Sequence, residues 1–268
     1  MKSTGTKIWG PLALFAGLLV CGSAGATTIP AGWTCNGNCG TSGADGVVTA
    51  PPNGQTSYQW ISTWDGNDEV GVLPSGGLGD ETDGSTLATS IFSADAGTSL
   101  NFYFNYVTSD GADYSDYAWA ALFNADGTLN ALLFTARTAP SGSIVPGFDM
   151  PAVNPGVTLT PASVEIIDGA PDWSPLGNDS GSCFDDGCGY TDWVNANFTI
   201  ATSGAYYLQI GVTNWQDYGY ASGLAMSGVT VGGTPINGVP EPAELGMFGL
   251  GALLVGLFAG LRRRAQRS

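Results

Sequence analysis

The chain predicts an all-β fold, a jelly-roll-like β-sandwich, and three observations carry that expectation. Short β-rich runs alternate with clusters of Gly, Ser, Thr, Asn and Asp, and 41 of the 268 residues are Gly. Ser99 to Thr108 alternates with strict period two. No long segment repeats its apolar residues at helical spacing.

The runs can be taken in order. Thr41 to Gln55 is turn-rich, with Pro51-Pro52-Asn53-Gly54 as a break. Tyr58 to Thr63 reads as a strand, and Asp65 to Ser85 as a long acidic, Gly-rich loop. A strand is expected over Leu87 to Ser93. In the next strand Leu100, Phe102, Phe104 and Tyr106 point one way, and Asn101, Tyr103 and Asn105 the other. Ser109 to Asp116 is a tight acidic loop. Tyr117 to Asn124 reads as a buried strand, Ala125-Asp126-Gly127-Thr128 as a turn and Leu129 to Thr135 as the returning strand of a hairpin. Ala139 to Pro161, with five prolines, reads as a surface excursion. Asp168 to Gly189 is a second acidic loop. Trp193 to Ile200, Ala205 to Thr213 and Leu224 to Val231 are the closing strands, with Tyr206, Leu208, Ile210 and Val212 on one face of the middle one.

Charge and composition exclude whole classes of chemistry. Of seven Lys and Arg, six lie near the ends and only Arg137 lies in the body. Of 23 acids, Glu241 and Glu244 alone lie in the tail, so the body holds one cation against 21 acids. Such a surface repels nucleic acid and anionic membrane and attracts divalent cations. The chain has no His, and its two Lys, Lys2 and Lys7, lie at the extreme N-terminus. That removes Ser-His-Asp and Cys-His catalysis, His-ligated zinc and Schiff-base lysine from the body.

The ends read as addresses. Lys2 and Lys7, an apolar run from Ile8 to Val20 and Ala24-Gly25-Ala26 make a signal peptide over 1–26, with the mature chain starting near Thr27. Leu18-Leu19-Val20-Cys21-Gly22 resembles a lipobox, but Val20 stands where a small residue is wanted. The body is one sandwich domain over 27–231, followed by a linker over 232–238. Leu245 to Leu261 carries no charge and as a helix would span roughly 25 Å. Arg262, Arg263, Arg264 and Arg267 follow it, which keeps that end cytoplasmic and places the body across the membrane.

Val239, Pro240, Glu241 and Pro242, the Gly-rich span and the terminal Arg cluster, in that order, resemble the PEP-CTERM sorting signal of Gram-negative bacteria, over 239–268. The resemblance implies recognition by an exosortase, an integral-membrane cysteine protease. It implies transient residence in the inner membrane, removal of the tail (245–261 as transmembrane segment, 262–267 as Arg-rich end), and delivery to the cell surface or extracellular matrix. It also implies a link to exopolysaccharide and biofilm. The segments Ser109 to Ala120 and Val212 to Ala225 are similar to parts of sandwich domains in other proteins that carry this signal.

The oxidising destination turns the body's cysteines into a disulfide framework. Cys35, Cys39, Cys183 and Cys188 allow three connectivities; two local loops, Cys35–Cys39 and Cys183–Cys188, are favoured, and a four-thiolate metal site is disfavoured.

Candidate ligand residues are acids and aromatics. Asp110, Asp113 and Asp116, with Asp217, form a candidate Ca²⁺ set, although their spacing fails the EF-hand pattern. The competing reading is solvated loop acids in Asx turns. Trp64, Trp173, Trp215, Tyr114 and Tyr218 fall in expected loops and are candidates for stacking against sugar rings; Trp60, Trp119 and Trp193 fall in expected strands and are assigned to the core. The expected function is a non-enzymatic structural or adhesive matrix protein. The alternatives are a calcium-assisted glycan-binding module and, less favoured, a glycoside hydrolase, which needs only two carboxylates.

Overall fold

The structure, a computed structural model, describes residues 29–236. The signal peptide expected over 1–26 and the sorting signal expected over 239–268 lie outside the described residues. Among the described residues no helix is long and apolar enough to cross a membrane.

Two antiparallel sheets stack into a β-sandwich. The main strands are β1 (Thr34–Asn36), β2 (Asn38–Ser42), β3 (Tyr58–Ser62), β4 (Glu81–Ala88), β5 (Phe92–Ala94), β6 (Ser99–Thr108), β7 (Tyr117–Asn124), β8 (Leu129–Arg137), β9 (Val157–Thr160), β10 (Val194–Thr199), β11 (Gly204–Trp215) and β12 (Ser222–Val231). One sheet runs β1-β4-β11-β7-β8, with β5 also on β11; the other runs β9-β10-β6-β12-β3-β2. The chain therefore crosses between sheets repeatedly, and neighbours in space are rarely neighbours in sequence.

The alternation read from the sequence sets which side chains meet. Leu100, Phe102, Phe104 and Tyr106 of β6 face the interior, as do Leu208, Ile210 and Val212 of β11 and Ala118, Ala120 and Leu122 of β7, all fully buried in one cluster. Phe104 stacks on Phe134 of β8 at 3.6 Å between ring centres. The expected hairpin is present, with β7 paired to β8.

Both outer faces are covered in part, which explains why β7 is buried on both sides. Leu73, Tyr117, Trp119, Ala121, Phe123 and Leu132 pack outside the first sheet. Val48, Tyr58, Val107, Trp173, Leu176 and Ala225 pack outside the second. The cover on the second sheet comes from the expected 168–189 loop, which contains a short 3-10 turn at Ser174–Asp179.

Several boundaries differ from expectation. The acidic loop ends earlier than Ser85, because Glu81 to Ser85 already pair in β4. The Leu87–Ser93 strand is split between β4 and β5. The proline-rich excursion contains β9 and a short pairing of Ser143–Val145 with Val164–Glu165. Thr234–Pro235 still pairs with β12 and Ile236 is buried, so the folded body reaches past 231 into the expected linker. Trp60 and Trp193 are half-buried on the outer face of the second sheet rather than in the central core; Trp119 is buried.

Both local disulfides form. Cys35–Cys39 ties β1 of one sheet to β2 of the other at the sandwich edge. Cys183–Cys188 closes a small loop that docks onto the 109–116 loop: Phe184 N donates to Ser109 O (3.0 Å) and Ala112 N to Asp186 O (2.9 Å). Gly111 is required there, because a Cβ would stand 2.6 Å from Cβ of Asp185.

Candidate functional site

The loops that follow β6 and β11 converge at one end of the sandwich with the cystine loop and the 3-10 turn. Ser109 N and Oγ both donate to Ala221 O, at 3.1 and 2.8 Å. Ala221 N donates to Asp179 Oδ2 at 2.9 Å. These contacts draw residues far apart in sequence around two acids, Asp110 and Asp116, both 0% exposed.

Asp116 is well held. Its Oδ1 accepts from Trp215 N at 2.9 Å, its Oδ2 from Ser222 Oγ at 2.6 Å, and its carbonyl from the Tyr106 hydroxyl at 3.0 Å. Asp110 is held on one side alone. Its Oδ1 accepts from Gly111 N at 2.7 Å, while its buried Oδ2 has no hydrogen-bond partner. Burial pushes the Asp110 carboxyl up to about 8, with the Asp217 and Asp179 carboxylates adding to the rise. Burial, and then Asp110 itself, holds the Asp116 carboxyl well above the usual carboxylate range. Arg137, the sole cation among the described residues, is engaged beside this pair: its Nε donates to Ser115 O at 3.1 Å, and its guanidinium lies 4.6 Å over the Trp215 ring.

The structure thus brings together Asp110, Asp116 and Asp217 of the expected acidic set, and adds Asp179. It leaves out Asp113, which is exposed on the Ala112–Tyr114 turn. Among the described residues no three or more Cys, Asp or Glu side chains are placed to hold a metal ion together.

The aromatic set also changes. Trp173 is 0% exposed; its ring lies over Gly223 of β12 and its Nε1 donates to the Tyr58 hydroxyl at 2.9 Å. No sugar reaches it, and its expected stacking role is withdrawn: a segment that reads as a loop in sequence is the lid of a second core. Trp64 is half-buried against Gly177, whose positive φ of 61° lets the backbone approach the ring. Trp215 is half-buried, with Nε1 donating to Gly79 O at 2.5 Å and Arg137 over its face. Tyr218 is 67% exposed.

A different aromatic group stands at this end. Tyr114, Phe184 and Tyr220 form a chain of ring contacts, 5.6 and 4.9 Å between centres, with Phe184 45% exposed. Phe184 and Tyr220 lie outside the aromatic set expected from the sequence; an aromatic side chain inside a tight cystine loop is the signal that marks Phe184. The cystine loop also lines a cleft of about 690 Å³ with Pro140, Glu165 and Asp168.

No family model matches the chain, and no curated protein matches it in sequence. Among solved structures it is similar to two cleaved adhesin domains of the Lys-gingipain of Porphyromonas gingivalis. One is 13% identical, over 74% of this chain and 92% of the other, with a TM-score of 0.30. The second is 14% identical, over 75% and 94%, with a TM-score of 0.33. An exo-β-agarase is 10% identical over 79% of this chain and 24% of the enzyme, with a TM-score of 0.30. At these TM-scores the similarity assigns no function.

Proposed function

We propose that this is a non-enzymatic surface or extracellular-matrix protein of a Gram-negative bacterium, exported, trimmed by an exosortase and acting structurally or adhesively among exopolysaccharide. The observation that supports it is the pair of cystines: a sandwich with four of its cysteines locked in two local bridges belongs to an oxidising compartment. The Pro240-Glu241-Pro242 triplet, the span and the Arg cluster supply the route. The burial of Asp110 and Asp116 argues against a catalytic role for that pair. Both are closed to a substrate, whereas glycoside hydrolysis needs its two carboxyls on either side of a bound sugar.

Replacing Pro240, Glu241 and Pro242 with Ala tests the route. The reading expects the altered full chain to stay uncleaved in the inner-membrane fraction while the unaltered chain reaches the surface. Equal surface delivery of both would refute it.

A second reading, a glycan-binding module assisted by calcium, is favoured by the Tyr114–Phe184–Tyr220 group with exposed Tyr218 nearby in sequence. Flat aromatic faces suit sugar rings, and sugars suit a surface this acidic better than anionic polymers do. Phe184→Ala and Tyr218→Ala are expected to weaken binding of the exported protein to the cells' own exopolysaccharide. Unchanged binding in both variants would remove this reading.

A further inference from the structure

We propose that Asp110 and Asp116 are the two charged ligands of a divalent-cation site, for calcium by its chemistry, that fastens the 109–116 loop to the end of the sandwich. This deepens the calcium-assisted reading. It is measured without any sugar, so it survives if glycan binding fails.

The starting point is the orphaned oxygen. Asp110 Oδ2 is buried and has no partner, an arrangement that is costly for a charged oxygen and for a protonated one alike. A buried carboxyl can be satisfied by a cationic side chain, by a proton or by a metal ion. The first is absent, because Arg137 is the sole cation among the described residues and its contacts are with Ser115 O and the Trp215 ring. A proton neutralises one carboxyl at a time. A divalent ion neutralises the Asp110 and Asp116 charges together, and Asp217 and Asp179 add negative potential around them.

The donor set chooses the ion. The side-chain groups beside the two carboxylates are hydroxyls: those of Ser222 and Thr108 stand 2.7 Å apart, and the Ser222 hydroxyl contacts Asp116 Oδ2, while the backbone N–H groups of Gly111 and Trp215 each hold one carboxylate oxygen. The chain has no His, and its four body cysteines are in cystines, so imidazole and thiolate ligands are excluded there. Calcium takes six to eight oxygens in flexible geometry, while magnesium demands a near-ideal octahedron. With two carboxylates rather than a three-acid cage, carbonyls, hydroxyls and water must fill the shell. That composition fits the weak end of protein calcium sites, with dissociation constants of about 0.1–1 mM. Asp113 has no part in the site, since it faces solvent.

The test uses the full exported protein, stripped with chelator and dialysed. Calorimetric titration with calcium chloride is expected to show one site per chain. Thermal unfolding is expected to shift upward by a few degrees in about 10 mM calcium relative to chelator, and by less in magnesium. Asp110→Asn should weaken calcium binding at least tenfold and abolish the calcium-dependent shift, while Asp113→Asn leaves both unchanged. Identical unfolding in calcium and chelator, with no binding heat, overturns the proposal and does so on the unaltered chain, even where a variant fails to fold. Calcium binding that persists undiminished in Asp110→Asn also overturns it, because the ion then sits on exposed acids elsewhere.

Discussion

Trp173 separates the two roles that an indole in a loop can have, and Trp173→Ala tests which one holds. The ring is fully buried with Val48, Tyr58, Val107, Leu176 and Ala225 on the outer face of the second sheet, and its Nε1 donates to the Tyr58 hydroxyl. Removing a buried Trp costs about 3–5 kcal/mol, cavity included. For a folded body of this size each kcal/mol lowers Tm by about 2–4 °C, so the expected fall is about 6–20 °C. Differential scanning calorimetry of the exported protein reads it directly. Tyr58→Phe is the companion change: it keeps the ring and leaves Trp173 Nε1 unpaired, at a cost of about 1–3 kcal/mol. Well below Tm, Trp173→Ala should bind exopolysaccharide as the unaltered protein does. A Tm within about 2 °C of the unaltered value, together with lost polysaccharide binding, would refute the reasoning and return Trp173 to a ligand site.

Three further outcomes are expected. In chelator, stability should fall as pH rises from about 5 to 8. The folded-state carboxyl of Asp110 is raised to about 8 and that of Asp116 is raised as well, so in this range the folded protein still holds protons that the unfolded chain, with ordinary aspartates, has already released. Each such proton contributes at most about 1.4 kcal/mol per pH unit, and urea unfolding at pH 5 and 8 checks the sign. The paired change Cys183→Ser with Cys188→Ser should cost about 2 kcal/mol from loop entropy and loosen the contacts of Phe184 and Asp186 with the 109–112 segment, read as faster amide exchange at Ala112. Gly177→Ala should destabilise by about 2–5 kcal/mol, because φ is 61° and the added Cβ would meet the Trp64 ring at 2.2 Å; tryptophan fluorescence and Tm read the displacement.

What the sequence reveals here depends on range. The face of β6 follows from period two, which is a local property, and Leu100, Phe102, Phe104 and Tyr106 point inward as that period requires. The β7–β8 hairpin and the two cystines are short-range features and are equally legible. Burial of Trp173 is not, because it depends on where the 168–189 segment lies against Tyr58 and Gly223, respectively over a hundred and about fifty residues away. The acidic site is legible in part for the same reason. Asp110 and Asp116 share one loop and can be grouped by eye. Asp179 arrives through its contact with Ala221, and Asp113 is turned outward by a single 3-10 turn. Spacing of like residues along a loop tells which acids are available, whereas only the fold decides which of them lose water.

The most direct test of the central claim is the intact mass of the protein recovered from the polysaccharide matrix of the cells that make it. The account predicts a chain that begins near Thr27, ends close to the Pro240-Glu241-Pro242 triplet and lacks the 245–261 span and Arg cluster, with four cysteines oxidised. Recovery of a chain that keeps residues 245–268, confined to the inner-membrane fraction and absent from the matrix, would contradict it.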